Sequence, residues 1–576
     1  MNQTRYTQQK GIKMIDVKNY FMCPSCSDQH NRTFTEALEL AIEYADKLED
    51  FVYIDEGEYT LEKQITISLT KNKGCKGILG AGMGKTKIKF NWPQTIDWDP
   101  RTNSTDARSQ AGILLEHVSK RTVANLSLTY EGEFYRKGES YFGTINGIYM
   151  EHTDDCLVSQ VEVTGCNRAG VFLNTVDKHV MDGAKKHHSQ GMDPKLIGLP
   201  KGNKIIGCNL HHNRVAGILS AWQEDLVVRD NYLNHNGHAA DGGTGYGVAM
   251  GSGSVNINFL VENNHAEGNF RKGLDVHDAF SGKFVNNRVI NNRFHGIAIE
   301  SRGYPSNGVD VIDNYITFDK TFRLVADDEI PVRTSMDYYQ QRAIRIETKP
   351  QDWQPWKGQP TRPVYNVTGN VIRGVEWETD KQQGIHRVIE IRNNDQDPNV
   401  IPTWNIKDND IEAVDVSDIM FCIAPSQVVN GLGNVVVENN RFVSKRVRSA
   451  PVTFQEENTS KLRENSIVFR NNTISVTELN VYIKALIIIS TDKKLTIENN
   501  TIDLVDNFNK PLFDITSKED YKDQTNWTVS SNVFSSTVNA DVFKRILLVK
   551  ENNCKVTQTG NTYLQKITAE LPDKTY

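Results

Sequence analysis

Five short stretches of the chain carry the residues with chemistry to offer: GVAMGSG (247 to 253), GLDVHDA (273 to 279), GIAIESR (296 to 302), AIRIETK (343 to 349) and VIEIRNN (388 to 394). Extended backbone sends alternate side chains to opposite faces. Leu274 and Val276, Ile297 and Ile299, Ile344 and Ile346, and Ile389 and Ile391 then share an apolar face. The other face carries Asp275, His277, Glu300 (followed by Arg302), Arg345, Glu347, Glu390 and Arg392. Phe172 with Asn174, Leu219 with Ala221, and Ala249 with Gly251 fill the same places earlier and are nearly uncharged, so the charge is local.

Stacked as parallel strands about 4.8 Å apart, these segments set Glu300 beside Glu347. Asp275 to Glu300 and Glu347 to Glu390 become diagonals of roughly 8 Å. Glycoside hydrolysis uses two carboxyls about 5 Å apart for retention, or about 6.5–9.5 Å apart for inversion. Two adjacent carboxylates raise one another's pKa, which suits one to act as acid and the other as base. Arg302, Arg345 and Arg392 balance the charge and suit bidentate contact with acidic sugars. Tyr338, Tyr339, Trp353 and Trp356 flank the column and offer flat faces for sugar rings. The competing reading is a ladder of exposed salt bridges, worth little energy and needing no function. His211, His212, His235, His238 and Asp241 suggest a metal, but in a bend-rich chain they read as turn residues. No metal or cofactor is expected.

The elements that must hold this column announce themselves as a repeat. An apolar–polar–Asn–apolar unit recurs at Asn231, Asn264, Asn287, Asn314, Asn370, Asn409, Asn440, Asn472, Asn500, Asn532 and Asn561. Short alternating strands separated by Asn- and Gly-rich bends predict an all-β fold, a right-handed single-stranded parallel β-helix. Each stacked Asn is expected to hydrogen-bond the neighbouring bend and to take up its left-handed backbone. A β-propeller would instead repeat a signature every 40 to 50 residues or so.

A capping box, Thr33 with Glu36, precedes apolar residues at helical spacing and predicts a short N-terminal capping helix. GILGAGMGKTKIKF (77 to 90) resembles a phosphate loop, but Leu79 stands where the first glycine belongs and no helix follows. It reads as a bend between early strands. The expected domains are 1–50 (segment and cap), 51–480 (catalytic β-helix) and 481–576 (C-terminal coils for trimerisation or carbohydrate binding). Insertions at 178 to 202 and 319 to 340 interrupt the stack.

With 38% hydrophobic and 24% charged residues over 576 positions, the chain is globular, and its net charge of −6 argues against nucleic acid as a partner. No apolar run is long enough to cross a membrane, and no secretion signal opens the sequence. The eight cysteines are too scattered for a disulfide framework; Cys23 and Cys26 make at most half a zinc site.

With the cap, the GILGAGMGKTKI coil, the Asn ladder and the charged column in place, the chain resembles the tailspike capsule depolymerases of bacteriophages, particularly those infecting Klebsiella. The resemblance implies a homotrimer that binds and cleaves capsular polysaccharide, borne on the virion tail and made in the host cytoplasm. Such a family's large N-terminal virion-binding domain has no counterpart ahead of the cap helix, which implies attachment through another tail protein. Three activities remain open: a glycoside hydrolase on paired carboxylates, a lyase using His277 or a tyrosine beside a uronate, and a spike that only holds glycan.

Overall fold

The computed structural model describes residues 6–9, 12–21, 32–93, 110–134, 143–175, 177, 198–238, 244–251, 254–301, 306–318, 341–348, 362–376, 387–457, 465–479, 485–491, 494–504, 513–516, 526–536, 547–550 and 555–564. They fall into two compact units, one up to Val276 and one from His277 onward.

The first unit opens with the predicted cap. Helix α1 (Phe34–Leu48) begins at Thr33, whose hydroxyl accepts from the Glu36 N–H while the Glu36 carboxylate accepts from the Thr33 N–H. Two of the donors that a helix start leaves unpaired are thereby satisfied. Ala37, Leu38, Ala41, Ile42 and Ala45 form its buried stripe. The helix is tied to the first coils where the Gly74 N–H donates to Asp46 Oδ1 at 2.6 Å and the Glu62 N–H donates to Thr35 Oγ1 at 2.9 Å.

The glycine-rich stretch is a bend, as expected. It joins strands Gly77–Gly80 and Thr86–Phe90, and its backbone donors are already taken. Gly82 N–H donates to Asn125 O, Gly84 N–H to Ser127 Oγ, and Thr86 N–H to Gly82 O. No ring of free N–H groups is left for a phosphate. Gly84 has φ of 73°, a left-handed turn that favours glycine.

Parallel strands stack in register through each unit, giving a right-handed parallel β-helix. In the first unit Ile65–Ser68, Gln110–Glu116, Ile145–Glu151, Ala169–Asn174, Ala216–Ser220 and Tyr246–Met250 pair in succession. In the second unit β1 (His295–Glu300), β2 (Arg342–Glu347), β3 (Arg387–Arg392) and β4 (Asp418–Ala424) do the same. Ile297, Ile344, Ile389 and Met420 occupy one rung position and are fully buried, so the inward apolar column is continuous.

The Asn repeat is a buried hydrogen-bonded column. In the second unit it runs from Asn287 through Asn314, Asn370, Asn409, Asn440, Asn472, Asn500 and Asn532 to Asn561. At each step the backbone N–H and the side-chain amide of one Asn both donate to the Oδ1 of the next, as Asn409 does to Asn440 at 3.0 and 2.9 Å. The amide's second proton goes to a backbone carbonyl, as from Asn440 to Ile406 O at 2.8 Å. One expectation needs correction. The left-handed residue is the one before the ladder Asn: Asp313, Gly369, Asp408, Asn439, Asn471, Asn499 and Ser531 have φ between 54° and 70°. The ladder Asn is there to bond, and its neighbour makes the bend.

Candidate functional site

The charged column of the second unit is built on β1 to β3, and its register is the one expected. Glu300 pairs directly with Glu347, and Glu347 with Arg392; Ala298, Arg345 and Glu390 form the adjoining rung position. The column is buried, however, where exposed salt bridges would have been solvated. Glu300 is 3% exposed, Glu347 8%, His277 8% and Glu390 0%.

Arg345 stands between the two glutamates. Its Nη1 donates to Glu300 Oε1 at 2.9 Å, and its Nη2 donates to Glu347 Oε2. The mutual repulsion expected of paired carboxylates is therefore met by a shared cation. The far oxygen of Glu300, Oε2, lies 3.4 Å from His277 Nε2. The far oxygen of Glu347, Oε1, accepts from Asn394 Nδ2 at 3.3 Å. Strand bonds clamp the rungs just beyond: Asp278 N–H to Glu300 O, Ser301 N–H to Glu347 O and Thr348 N–H to Arg392 O.

Glu390 has a different environment from the one its place among acid–base candidates implied. Arg342 Nε reaches Glu390 Oε2 at 2.6 Å, Arg345 Nε the same oxygen at 3.6 Å, and Arg392 Nε Oε1 at 3.0 Å; Arg387 Nη1 also donates to Oε1. Burial alone would raise its pKa, but Arg342, Arg392, Arg387 and Arg345 outweigh it and hold the carboxyl well below the usual carboxylate range. A carboxyl so held cannot give a proton near neutral pH, so Glu390 anchors the arginines that frame the pair.

Arg342, Arg387 and Asp418 are site residues that sequence reasoning missed. They occupy one rung position at the starts of β2, β3 and β4. Arg387 Nε lies 3.3 Å from Asp418 Oδ2, and burial pushes the Asp418 carboxyl up. Burial also lowers Arg342 to about 10, against the pull of Glu390. Next to this group, Ser301, Ser306, Thr348, Tyr365, Asn393 and Asp395 line a small cleft. Burial in that cleft raises the Asp395 carboxyl to about 6.

Asp275, in the first unit, is fully buried and paired with Lys272 Nζ at 2.8 Å. Arg302, Tyr338, Tyr339, Trp353 and Trp356 lie outside the described residues, as do Cys23, Cys26 and Asp241. His211 and His212 meet through their Nδ1 atoms at 2.8 Å, and the His212 ring stacks on His235 at 5.5 Å. Cys75, Cys156, Cys166, Cys208 and Cys422 are free and buried, and burial pushes each thiol up, Cys208 to about 12.

Residues 146–317 match the family model described as a right handed beta helix region. No curated protein matches the sequence. Among solved structures, the catalytic domain of a GH87 alpha-1,3-glucanase in complex with nigerose is similar at 13% identity, over 83% of this chain and 70% of that one, with a TM-score of 0.41. The Dettilon tailspike protein is similar at 12% identity, over 66% of this chain and 63% of that one, with a TM-score of 0.36. The A-module of the mannuronan C-5 epimerase AlgE6 of Azotobacter vinelandii is similar at 13% identity, over 96% of this chain and 99% of that one, with a TM-score of 0.33.

Proposed function

We propose that this chain cleaves glycosidic bonds in a bacterial surface polysaccharide, with Glu300 and Glu347 as the working carboxyls. The observation that carries the reading is the buried pair itself: two glutamates on adjacent rungs, bridged by Arg345, with His277 beside the far oxygen of Glu300. Rung spacing sets the pair about 5 Å apart, the separation used by retaining enzymes. Glu347, held by Arg345 and Asn394, attacks the anomeric carbon. The glycosidic C–O bond breaks as Glu300 passes its proton to the leaving oxygen, with the His277 ring beside its far oxygen. A water then gives a proton to Glu300 and displaces Glu347 from the sugar, restoring both groups. Residence on a phage tail spike, a homotrimeric assembly and attachment through another tail protein belong to the same reading and rest on the sequence resemblance.

A lyase is the second reading, because His277 and Arg345 also suit removal of the C5 proton beside a neutralised uronate. Digestion of purified capsular polysaccharides separates the two. New reducing ends without absorbance near 235 nm support hydrolysis, whereas that absorbance marks a lyase; an unchanged polymer size marks binding alone. Glu300→Gln and Glu347→Gln each lower cleavage by about 10³-fold or more, as loss of a catalytic carboxyl does. Wild-type rates in both variants refute the pair.

A further inference from the structure

The outward face changes character on the rung after β3. Phe421 follows Glu390 in register and Ile423 follows Arg392, and both are half-buried apolar side chains next to a dense ionic group. The Arg387 guanidinium lies over the Phe421 ring, 3.4 Å from its centroid. One side of the ring is thereby backed by a cation that is itself held by Glu390 and Asp418. Arg392 is tethered only through Nε, at 3.0 Å from Glu390 Oε1, and its side chain is 38% exposed. Its two terminal nitrogens have no partner among the described residues. They form an open fork of the kind that takes a carboxylate bidentately.

We infer that Phe421 and Arg392 form a subsite for an acidic pyranose, whose ring packs on Phe421 and whose carboxylate bonds the Arg392 fork. Four arginines converge on the single carboxylate of Glu390, and Arg392 is the most exposed of them. Arg345 is also held by Glu300 and Glu347, and Arg387 by Asp418, whereas Arg392 meets Glu390 alone among the described residues. In register, Arg392 adjoins Glu347. A sugar at the carboxylate pair therefore sets its neighbour in the glycan over β3 and β4, within reach of both residues. The inference rests on the proposed function for the polymer's placement, and it adds that the polymer is a uronate-bearing or similarly acidic glycan.

Isothermal titration of the full chain with galacturonate, glucuronate-containing and mannuronate oligosaccharides, each beside its carboxyl-reduced counterpart, tests it. At least one acidic oligosaccharide is expected to bind tenfold or more tighter than its reduced form, with the preference shrinking at high salt. Arg392→Gln removes the preference, Arg392→Lys keeps part of it, and Phe421→Ala weakens both members of the pair about tenfold. Thermal melting of each variant separates lost binding from lost folding. Equal affinity for acidic and reduced forms, a preference surviving in a folded Arg392→Gln, or no binding of any acidic oligosaccharide overturns the subsite. Acidic oligosaccharides bound through Arg392 but never cleaved refute the hydrolase reading and leave the subsite standing. Cleavage of neutral glycans alone does the reverse.

Discussion

Glu390→Gln is the sharpest perturbation of the ionic group, because it keeps the side chain's shape and removes one charge. Glu390 is fully buried and meets Arg342 at 2.6 Å, Arg392 at 3.0 Å and Arg345 at 3.6 Å, with Arg387 on the same carboxylate. Removing one partner of a buried ion pair costs about 3–5 kcal/mol, because the other charge stays buried without compensation. Here Arg342, 3% exposed, loses the carboxylate it meets at 2.6 Å, while Arg387 keeps Asp418, so the whole of that range applies. Midpoints move by about 2–4 °C per kcal/mol for domains of 150–250 residues. A loss of about 6–20 °C is therefore expected at pH 7 by differential scanning calorimetry. The pH dependence has a definite sign. The folded-state pKa of Glu390 is depressed, so its stabilisation is full above the unfolded value and is lost progressively as pH falls from there through the folded one. The gap between wild type and Glu390→Gln stays level from pH 8 to about 5, then closes in stronger acid. A variant within 1 °C of wild type at pH 7 refutes the ion-pair assignment. A gap that already closes near pH 6 refutes the claim that Glu390 is held ionised.

Asn440→Ala leaves the Asn409 N–H and side-chain amide and the Ile406 carbonyl without their partner, at about 1–3 kcal/mol for each unsatisfied group. A loss of about 3–5 kcal/mol in urea unfolding is expected, and one under about 1 kcal/mol contradicts the column. Asp395→Asn acts in the opposite direction. Burial raises the Asp395 carboxyl to about 6, so the stability it lends is full below the unfolded pKa and lost as pH rises through that value. The variant should exceed wild type by up to about 3 kcal/mol at pH 8 and show no advantage near pH 4; an equal margin at both pH values removes the titration argument.

Stacking explains what could be read in advance. A β-helix sets like positions of successive coils on top of one another, so a repeated Asn in sequence is a column in space, and aligning Ala343 with Val388 sets Glu347 beside Arg392. Strict alternation failed where the chain turns into a strand. Arg342 and Arg387 share the parity of the inward isoleucines, yet both reach Glu390 on the outward side. At the first residue of a strand the backbone is still leaving a bend, and period two does not yet hold. Phe421 was invisible for a related reason: DIMFCIA is apolar on both faces, so nothing in its pattern distinguishes the outward ring. The burial of the ladder was also out of reach, because alternation assigns a face and says nothing about what covers it.

The asparagine column also has a direction. From Asn287 to Asn532 each rung of the second unit donates forward, and each Oδ1 from Asn314 to Asn561 accepts from the rung before it. A newly wound coil thus carries an unmet donor until its successor arrives, and the successor brings the acceptor. A chain emerging from the ribosome N-terminus first adds coils in that same order. At any moment one rung, the youngest, is incomplete. A coil laid down out of register brings no forward oxygen to the N–H groups of the rung before it.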